Sequence, residues 1–508
     1  MFNAFNERII KTEFNTNLFT YSPIHSFTYL RHRNVGTILF TNNFRHSGDT
    51  NFVQLNYYQS ATNSQKGQNM SFNPLKEKGI PVEKQIRNWH QIAGKPYNKT
   101  EVDCYTRTRQ ILMNGIEVEA WGFKHQLNRF MPNNNEKQLI ALISRVEDAQ
   151  QATANWLAPA DQSVLETTLA YEQVAVDLTA WLAQNEPDEY VRETFDFGLL
   201  EDFDHLYRYS QFAYMVEGIK PNSIVQDKTD VVVGRPTQHH HNNNGLRIRK
   251  HYDKDATCPQ TKVNILTLLS GEQQTHNFYA EHGFMYGDHI LRETYAEIKD
   301  VEEEHVTMYE SLIDPAETMW EKLLLHEFTE VCNYYTCLED EVDERIKKTW
   351  ELFLDIELGH LQVAADLFKK YEKRDPEEII GSEIVIPNRF TSQKAYVKKV
   401  LESQVDKRLE DEGRFTTIDN LPKDWLSYEV QAKQNELSSP SENAVKLAFV
   451  YHKRDITAGD RELRDNEPEL LRKGLQKDLV AENTVMPDEL EKMISEHKAT
   501  KAKRHKLI

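Results

Sequence analysis

Two Glu-x-x-His pairs stand out in the chain, Glu302 with His305 in VEEEH and Glu357 with His360 in IELGH. A spacing of three puts the carboxylate and the imidazole on one face of a helix. A lone glutamate precedes each pair by 30 residues, Glu272 before Glu302 and Glu327 before Glu357. Such a set suits a pair of metal ions. Cations held a few ångströms apart repel one another; carboxylates that bridge and cap them offset the repulsion, and imidazoles complete the coordination. Four facing helices can supply this from one glutamate on each of two helices and Glu-x-x-His on each of the other two. Carboxylate and imidazole donors suit iron or manganese, and also accept zinc.

The first half of the chain repeats the arithmetic. Glu117 precedes Glu147 by 30 residues, Glu172 precedes Asp202 by 30, and His205 follows Asp202 by three. An offset of 155 places Glu117 on Glu272, Glu147 on Glu302, Glu172 on Glu327, Asp202 on Glu357 and His205 on His360, without a gap. Phe123, Val146, Leu157 and Leu169 then fall on Phe278, Val301, Leu312 and Leu324. Two positions depart from the pattern: Gln150 stands where the second half has His305, and Asp202 where it has Glu357. The site of the first half is therefore expected to be the altered one.

Elements must bring these residues together. Residues 102–216 read as four antiparallel helices broken at MPNNN, LAPAD and QNEPD, and residues 260–372 as four more broken at EHGFMYGD, IDPAE and LEDEVD. Asp314, Pro315 and Glu317 look like a helix start, with a cap, a proline in the first turn and an acid beside it. Glu147 and Glu172 lie at matching distances either side of LAPAD, as Glu302 and Glu327 do around IDPAE. Neighbouring antiparallel helices would bring each set to one level. Leu165, Leu169 and Val176 share a face with Glu172, and Trp320, Leu324 and Val331 with Glu327. A glutamate in such an apolar stripe needs a partner. His276 and Glu330, near Glu272 and Glu327, are candidates for extra ligands or for groups that orient the ligands. Tyr171, Tyr279, Tyr295 and Tyr309 lie close by along the chain and read as core residues.

Outside the helical halves, residues 1–101 form an irregular, partly stranded N-terminal region, with GTILFTNNF and NFVQLNYYQ as strand-like stretches. Residues 217–259 read as a connection, and its His239, His240 and His241 as a solvated polar run. Residues 373–508 form a charged, helical C-terminal region in which GSEIVIPNRF is extended and the basic end KATKAKRHKLI is a disordered tail.

The paired motifs resemble the ferritin-like superfamily of di-iron carboxylate proteins, nearest to rubrerythrin-like domains. The resemblance covers residues 102–216 and 260–372. It implies a mainly α chain of two tandem ferritin-like four-helix bundles; most relatives join the second and third helices by a long crossover, whereas the connections here look short and favour an up-down-up-down order. It also implies iron, two ions per site, or manganese. The ligands would be Glu272, Glu302, His305, Glu327, Glu357 and His360 in one bundle. In the other they would be Glu117, Glu147, Gln150, Glu172, Asp202 and His205. Glu302 or Glu357 would bridge, with Glu272 and Glu327 terminal. The implied function is an oxidoreductase acting on dioxygen or peroxide; the alternatives are iron binding or sequestration without turnover, and a scaffold with a vestigial site.

Composition narrows the partners. A net charge of −19 offers no basic excess to neutralise phosphate, which argues against nucleic acid. The four cysteines, Cys104, Cys258, Cys332 and Cys337, form no CxxC pair, so no rubredoxin-type iron centre is expected and electrons would come from another protein. No apolar signal core and no run of about eighteen apolar residues occurs, and the protein reads as cytoplasmic, with no membrane partner.

Overall fold

The computed structural model describes residues 72–231, 241–411, 413–436, 438–444 and 447. The two strand-like stretches at 36–44 and 51–59, His239, His240 and the basic tail lie outside them. The described chain is mainly α. Among the described residues no helix is long and apolar enough to cross a membrane.

Eight long helices carry the fold: α1 (Cys104–Asn128), α2 (Asn134–Asn155), α3 (Val164–Asn185), α4 (Glu189–Phe212), α5 (Pro259–His282), α6 (His289–Glu310), α7 (Met319–Asp340) and α8 (Glu344–Glu372). Their starts are set locally. Asp103, Asn133, Ser163, Asp188, Asp288, Thr318 and Asp343 each accept a backbone N–H of the first turn with a side-chain oxygen. Helix α5 has no such bond and begins instead on Pro259, whose missing N–H costs nothing in the first turn. Each start recurs 155 residues later, including the reciprocal capping boxes Ser163–Glu166 and Thr318–Glu321. The capping box also moves one expected boundary. Asp314 does not start α7; it accepts the backbone N–H of Ala316 and, from the turn before α5, that of Lys254, and Thr318 caps the helix four residues on.

Consecutive helices form four antiparallel hairpins, α1/α2, α3/α4, α5/α6 and α7/α8. The hairpins do not assemble in chain order. Helices α1, α3, α5 and α7 make the inner contacts: α1 packs on α3, α5 and α7, and α5 packs also on α3 and α7. Two loop glutamates show the pairing. Glu341, between α7 and α8, accepts from Thr106 and Arg109 of α1. Glu186, 155 residues earlier between α3 and α4, accepts from Thr261 and Asn264 of α5. Hairpin α7/α8 thus docks on α1/α2, and α3/α4 docks on α5/α6. This corrects the expectation that 102–216 and 260–372 each close on themselves. The eight-residue connections at 156–163 and 311–318 are long enough to step to a different hairpin, so α2 and α6 need not neighbour the helices that follow them.

The remaining segments brace this core. Leu165, Leu169, Val176, Leu324 and Val331 are buried as their periodicity demands. The N-terminal segment from Phe72 is irregular, with short turns at Pro74–Lys76 and Val82–Lys84. Among the described residues of the connection after α4 there are short helical turns, and His241 and Arg247 are buried rather than solvated. The C-terminal region is not wholly helical: a helix at Lys394–Gln404 leads into an antiparallel hairpin, β1 (Lys407–Asp411) and β2 (Arg414–Thr417), with Leu409 buried beneath it. Residues 381–390, expected to be extended, carry no strand and include a bend at Ser382 and Glu383.

Asp177 in α3 shows how completely this core excludes water. Its carboxyl is buried beside Thr229, whose hydroxyl donates to it at 2.6 Å, and burial pushes its pKa up to about 8. The folded state therefore keeps a proton that the unfolded chain releases near pH 4. Stability should fall as pH rises from about 4 to about 8, by up to about 1.4 kcal/mol per pH unit. Asp177→Asn has no such slope. Denaturation midpoints should diverge in the variant's favour toward pH 8 and converge near pH 4.5; parallel curves would contradict the assignment.

Candidate metal sites

The hairpin exchange sorts the acidic residues into two buried clusters, neither of them confined to one half of the chain. The first draws on α1, α2, α7 and α8; the second on α3, α4, α5 and α6. Every residue named below in either cluster's carboxylate and imidazole set is buried.

In the second cluster the ligand atoms of Asp202, Glu272, Glu302 and His305 lie within 4.8 Å of one another, as do those of Glu172, His205 and Glu302. The two groups share Glu302. His205 Nδ1 lies 3.0 Å from one oxygen of Glu302, and His305 Nδ1 lies 3.3 Å from the other. His305 Nδ1 also faces Asp202 and Glu272, each at 3.6 Å. Its other nitrogen, Nε2, is 2.8 Å from Glu201 Oε2, which fixes the ring with Nδ1 pointing inward. Arg247, from the connection, grips Glu201 with two nitrogens at 3.0 and 3.1 Å and Glu304 with a third at 2.6 Å. Among the described residues the oxygens of Asp202 and Glu272 have no close hydrogen-bond partner; the Thr179 hydroxyl lies beside Asp202, and His305 Nδ1 faces both at 3.6 Å.

Burial and the neighbouring carboxylates push the carboxyls of Glu172 and Glu272 well above their ordinary range, and burial pushes Asp202 up to about 7. Glu302 is buried too, yet His205 and His305 hold it below its ordinary range. A cation placed among these groups would replace the protons that burial otherwise keeps on them.

Tyr279 donates its hydroxyl proton to Glu172. Its ring sits 5.2 Å from Tyr209 and 5.6 Å from Tyr295, centroid to centroid, and Tyr209 is 4.8 Å from Tyr295. Tyr309 is buried 6.1 Å from the His305 ring, and Tyr171 accepts from Gln274 on the outer side of α3.

The first cluster has the same outline and different contents. Glu147, Glu327, Glu357 and His360 form one group and Glu117, Glu330 and Glu357 the other, with Glu357 shared. His360 Nδ1 lies 2.9 Å from Glu357, and its Nε2 is 2.7 Å from Gln85 Oε1. Gln85 reaches it because Gly359 lets the N-terminal segment come close. A Cβ there would lie 2.0 Å from the Ile80 carbonyl oxygen. Gln150 brings an amide where the second cluster has an imidazole, donating to Glu117 at 3.2 Å and Glu357 at 2.7 Å. Tyr334 donates to Glu117.

At the middle lies Lys124. Its ammonium pairs with Glu147, with Glu327 at 3.1 Å and with Glu330 at 2.9 Å. Burial alone would strip its proton, but the charges of Glu147, Glu327, Glu330 and Glu357 outweigh it and hold the amine well above lysine's ordinary range. Burial lowers His360 to about 4, so its ring is neutral.

All twelve residues picked out by spacing lie in one cluster or the other. Their grouping differs from the expectation: Glu172, Asp202 and His205 join Glu272, Glu302 and His305, while Glu117, Glu147 and Gln150 join Glu327, Glu357 and His360. Both departures from the repeat thus fall apart from one another, with Asp202 in the cluster that keeps two histidines and Gln150 in the one that keeps one. Glu330 belongs to the first cluster. His276 belongs to neither; it is partly exposed, with Nδ1 3.2 Å from the Lys299 carbonyl oxygen. His241 packs on Glu297 at 3.1 Å and shares a third acidic group with Asp300 and Glu304.

Sequence reasoning missed Lys124, Gln85, Glu201 and Arg247. Lys124 carried a signal, since it stands two helical turns after Glu117 on the same face. Gln85 and Arg247 come from irregular segments and carried none. Comparison of the chain with protein families, with curated proteins and with solved structures finds no match.

Proposed function

We propose that the second cluster binds a pair of iron or manganese ions and that the protein is an oxidoreductase acting on dioxygen or peroxide, in the manner of ferritin-like di-iron carboxylate proteins. One observation carries the reading. Two ligand groups share Glu302, and in one of them Asp202 and Glu272 are fully buried with carboxylate oxygens that lack a close hydrogen-bond partner among the described residues. Buried carboxylates without donors are costly, and a coordinated cation satisfies them.

Asp202, Glu272, Glu302 and His305 would hold one ion, and Glu172, His205 and Glu302 the other. When bound, such metals supply one-electron redox changes and polarise an oxygen species. The chain's own residues prepare the site. Glu201 fixes the tautomer and direction of His305, Tyr279 holds a proton against Glu172, and the packed helices exclude water. Electrons would come from an external donor protein. The recurrence of every helix start at an offset of 155 supports the reading of two ferritin-like copies whose hairpins have exchanged partners.

Storage or sequestration of iron is the second reading, favoured by the burial of every carboxylate and imidazole of the site. The test compares wild type with Asp202→Asn/Glu302→Gln after growth in iron- and manganese-supplemented medium. Wild type should carry about two ions in this cluster, the variant should carry none there, and only wild type should consume peroxide or dioxygen with a reductant present. Metal without consumption would turn the reading to sequestration. Well-folded wild type without metal would end both.

A further inference from the structure

We infer that the first cluster is a metal-free twin of the second, in which the Lys124 ammonium is the built-in cation in place of a metal pair.

The two clusters can be compared position by position through the offset of 155. Lys124 corresponds to Tyr279, and Glu330 to Ala175. The second cluster has four carboxylates, two imidazoles and no cationic side chain among them. The first has five carboxylates, one imidazole, and Lys124 at their centre. The lysine and the additional glutamate appear together, and only here.

Geometry gives Lys124 both halves of the cluster. It pairs with Glu147 and Glu327 of the group that includes His360, and with Glu330 of the group that includes Glu117. The shared residue Glu357 and the remaining Glu117 are held by Gln150, and Glu117 also by Tyr334. Each of the five carboxylates therefore faces a side-chain donor or cation that the chain itself provides. A metal pair would have to displace an ammonium that is wholly buried and already paired with three carboxylates of the cluster. Leaving it unpaired in this interior is unfavourable, so the lysine excludes the metals.

The first cluster then acts as an electrostatic clasp that ties α1 to α2 and α7, and redox chemistry is confined to the second. This inference rests on the proposed function for the contrast between the clusters, and its test separates the two.

The full chain is loaded anaerobically with ferrous iron, desalted and analysed for iron per chain. Wild type should hold about two ions, and Asp202→Asn/Glu302→Gln about none. Lys124→Ala should rise to about four, with a thermal midpoint that increases on adding iron by more than that of wild type. Two ions retained by Asp202→Asn/Glu302→Gln, or about four in wild type unchanged by Lys124→Ala, would overturn the inference while leaving metal binding intact. Wild type with none and Lys124→Ala with about two would uphold the inference and refute the reading of the second cluster. Should Lys124→Ala fail to fold, the Asp202→Asn/Glu302→Gln count alone decides: loss of all iron upholds the inference and retention overturns it.

Discussion

Arg247→Met is expected to destabilise the protein by about 3–5 kcal/mol and to weaken metal binding in the second cluster by about 10–100-fold. The guanidinium is fully buried and bonds to Glu201 and Glu304, so its removal leaves two interior carboxylates without their principal cation. That accounts for the stability term. The affinity term runs through His305. Glu201 holds Nε2 of that ring, and without Arg247 the Glu201 carboxyl is free to take a proton or turn away, loosening the imidazole that faces Asp202, Glu272 and Glu302. Denaturant midpoints measure the first effect and a competition titration with a metal chelator the second. Arg247→Lys should recover part of the stability and little of the affinity, because a single ammonium cannot reproduce the fork that spans two carboxylates. A stability loss with unchanged metal affinity would show that Arg247 is only a structural brace.

Glu341→Ala should cost a similar amount, about 3–5 kcal/mol, through a different route. Glu341 sits in the loop between α7 and α8. It receives Arg109 Nε at 3.0 Å, the Thr106 hydroxyl, the Trp350 indole N–H at 3.0 Å and the backbone N–H of Val342 and Asp343. Arg109 is itself buried, so losing the carboxylate strands a charge at the contact where the α7/α8 hairpin docks on α1. The equivalent Glu186→Ala offers a comparison within the same molecule. Its partners, Thr261 and Asn264, are neutral, and about 1–3 kcal/mol is expected. Equal losses at the two positions would contradict the importance of the charge. Both variants can be read from urea denaturation at neutral pH.

Much of the candidate site was legible because liganding residues on helices obey a periodicity. Glu302 and His305, or Glu357 and His360, share a face by spacing alone, and helix starts such as Ser163 and Thr318 are set by residues three apart. The 30-residue separation reports a hairpin of two helices of fixed length, so each Glu with its following pair was assigned to the correct two helices. Where local signals competed, the reciprocal bond prevailed: the Asp314–Pro315 start gave way to the Thr318–Glu321 box because the box satisfies two backbone N–H donors at once. The C-terminal hairpin was missed because β1 and β2 are short, charged and stabilised by the surface they cover.

The sequence by itself determined the helices, the hairpins and the three ligand-type residues that each hairpin carries, since all of these follow from contacts a few residues to one hairpin apart. Only the tertiary structure decided which hairpins meet. An eight-residue connection permits a hairpin to pack on its neighbour in the chain or on a more distant one, and the choice is made by surfaces such as Glu341 on Arg109. That choice assigned His305 and His205 to one cluster, placed Lys124 and Gln150 in the other, and brought in Gln85 and Arg247 from irregular segments. Long-range packing therefore set the charge of each site, although the residues that compose it were written at local spacing.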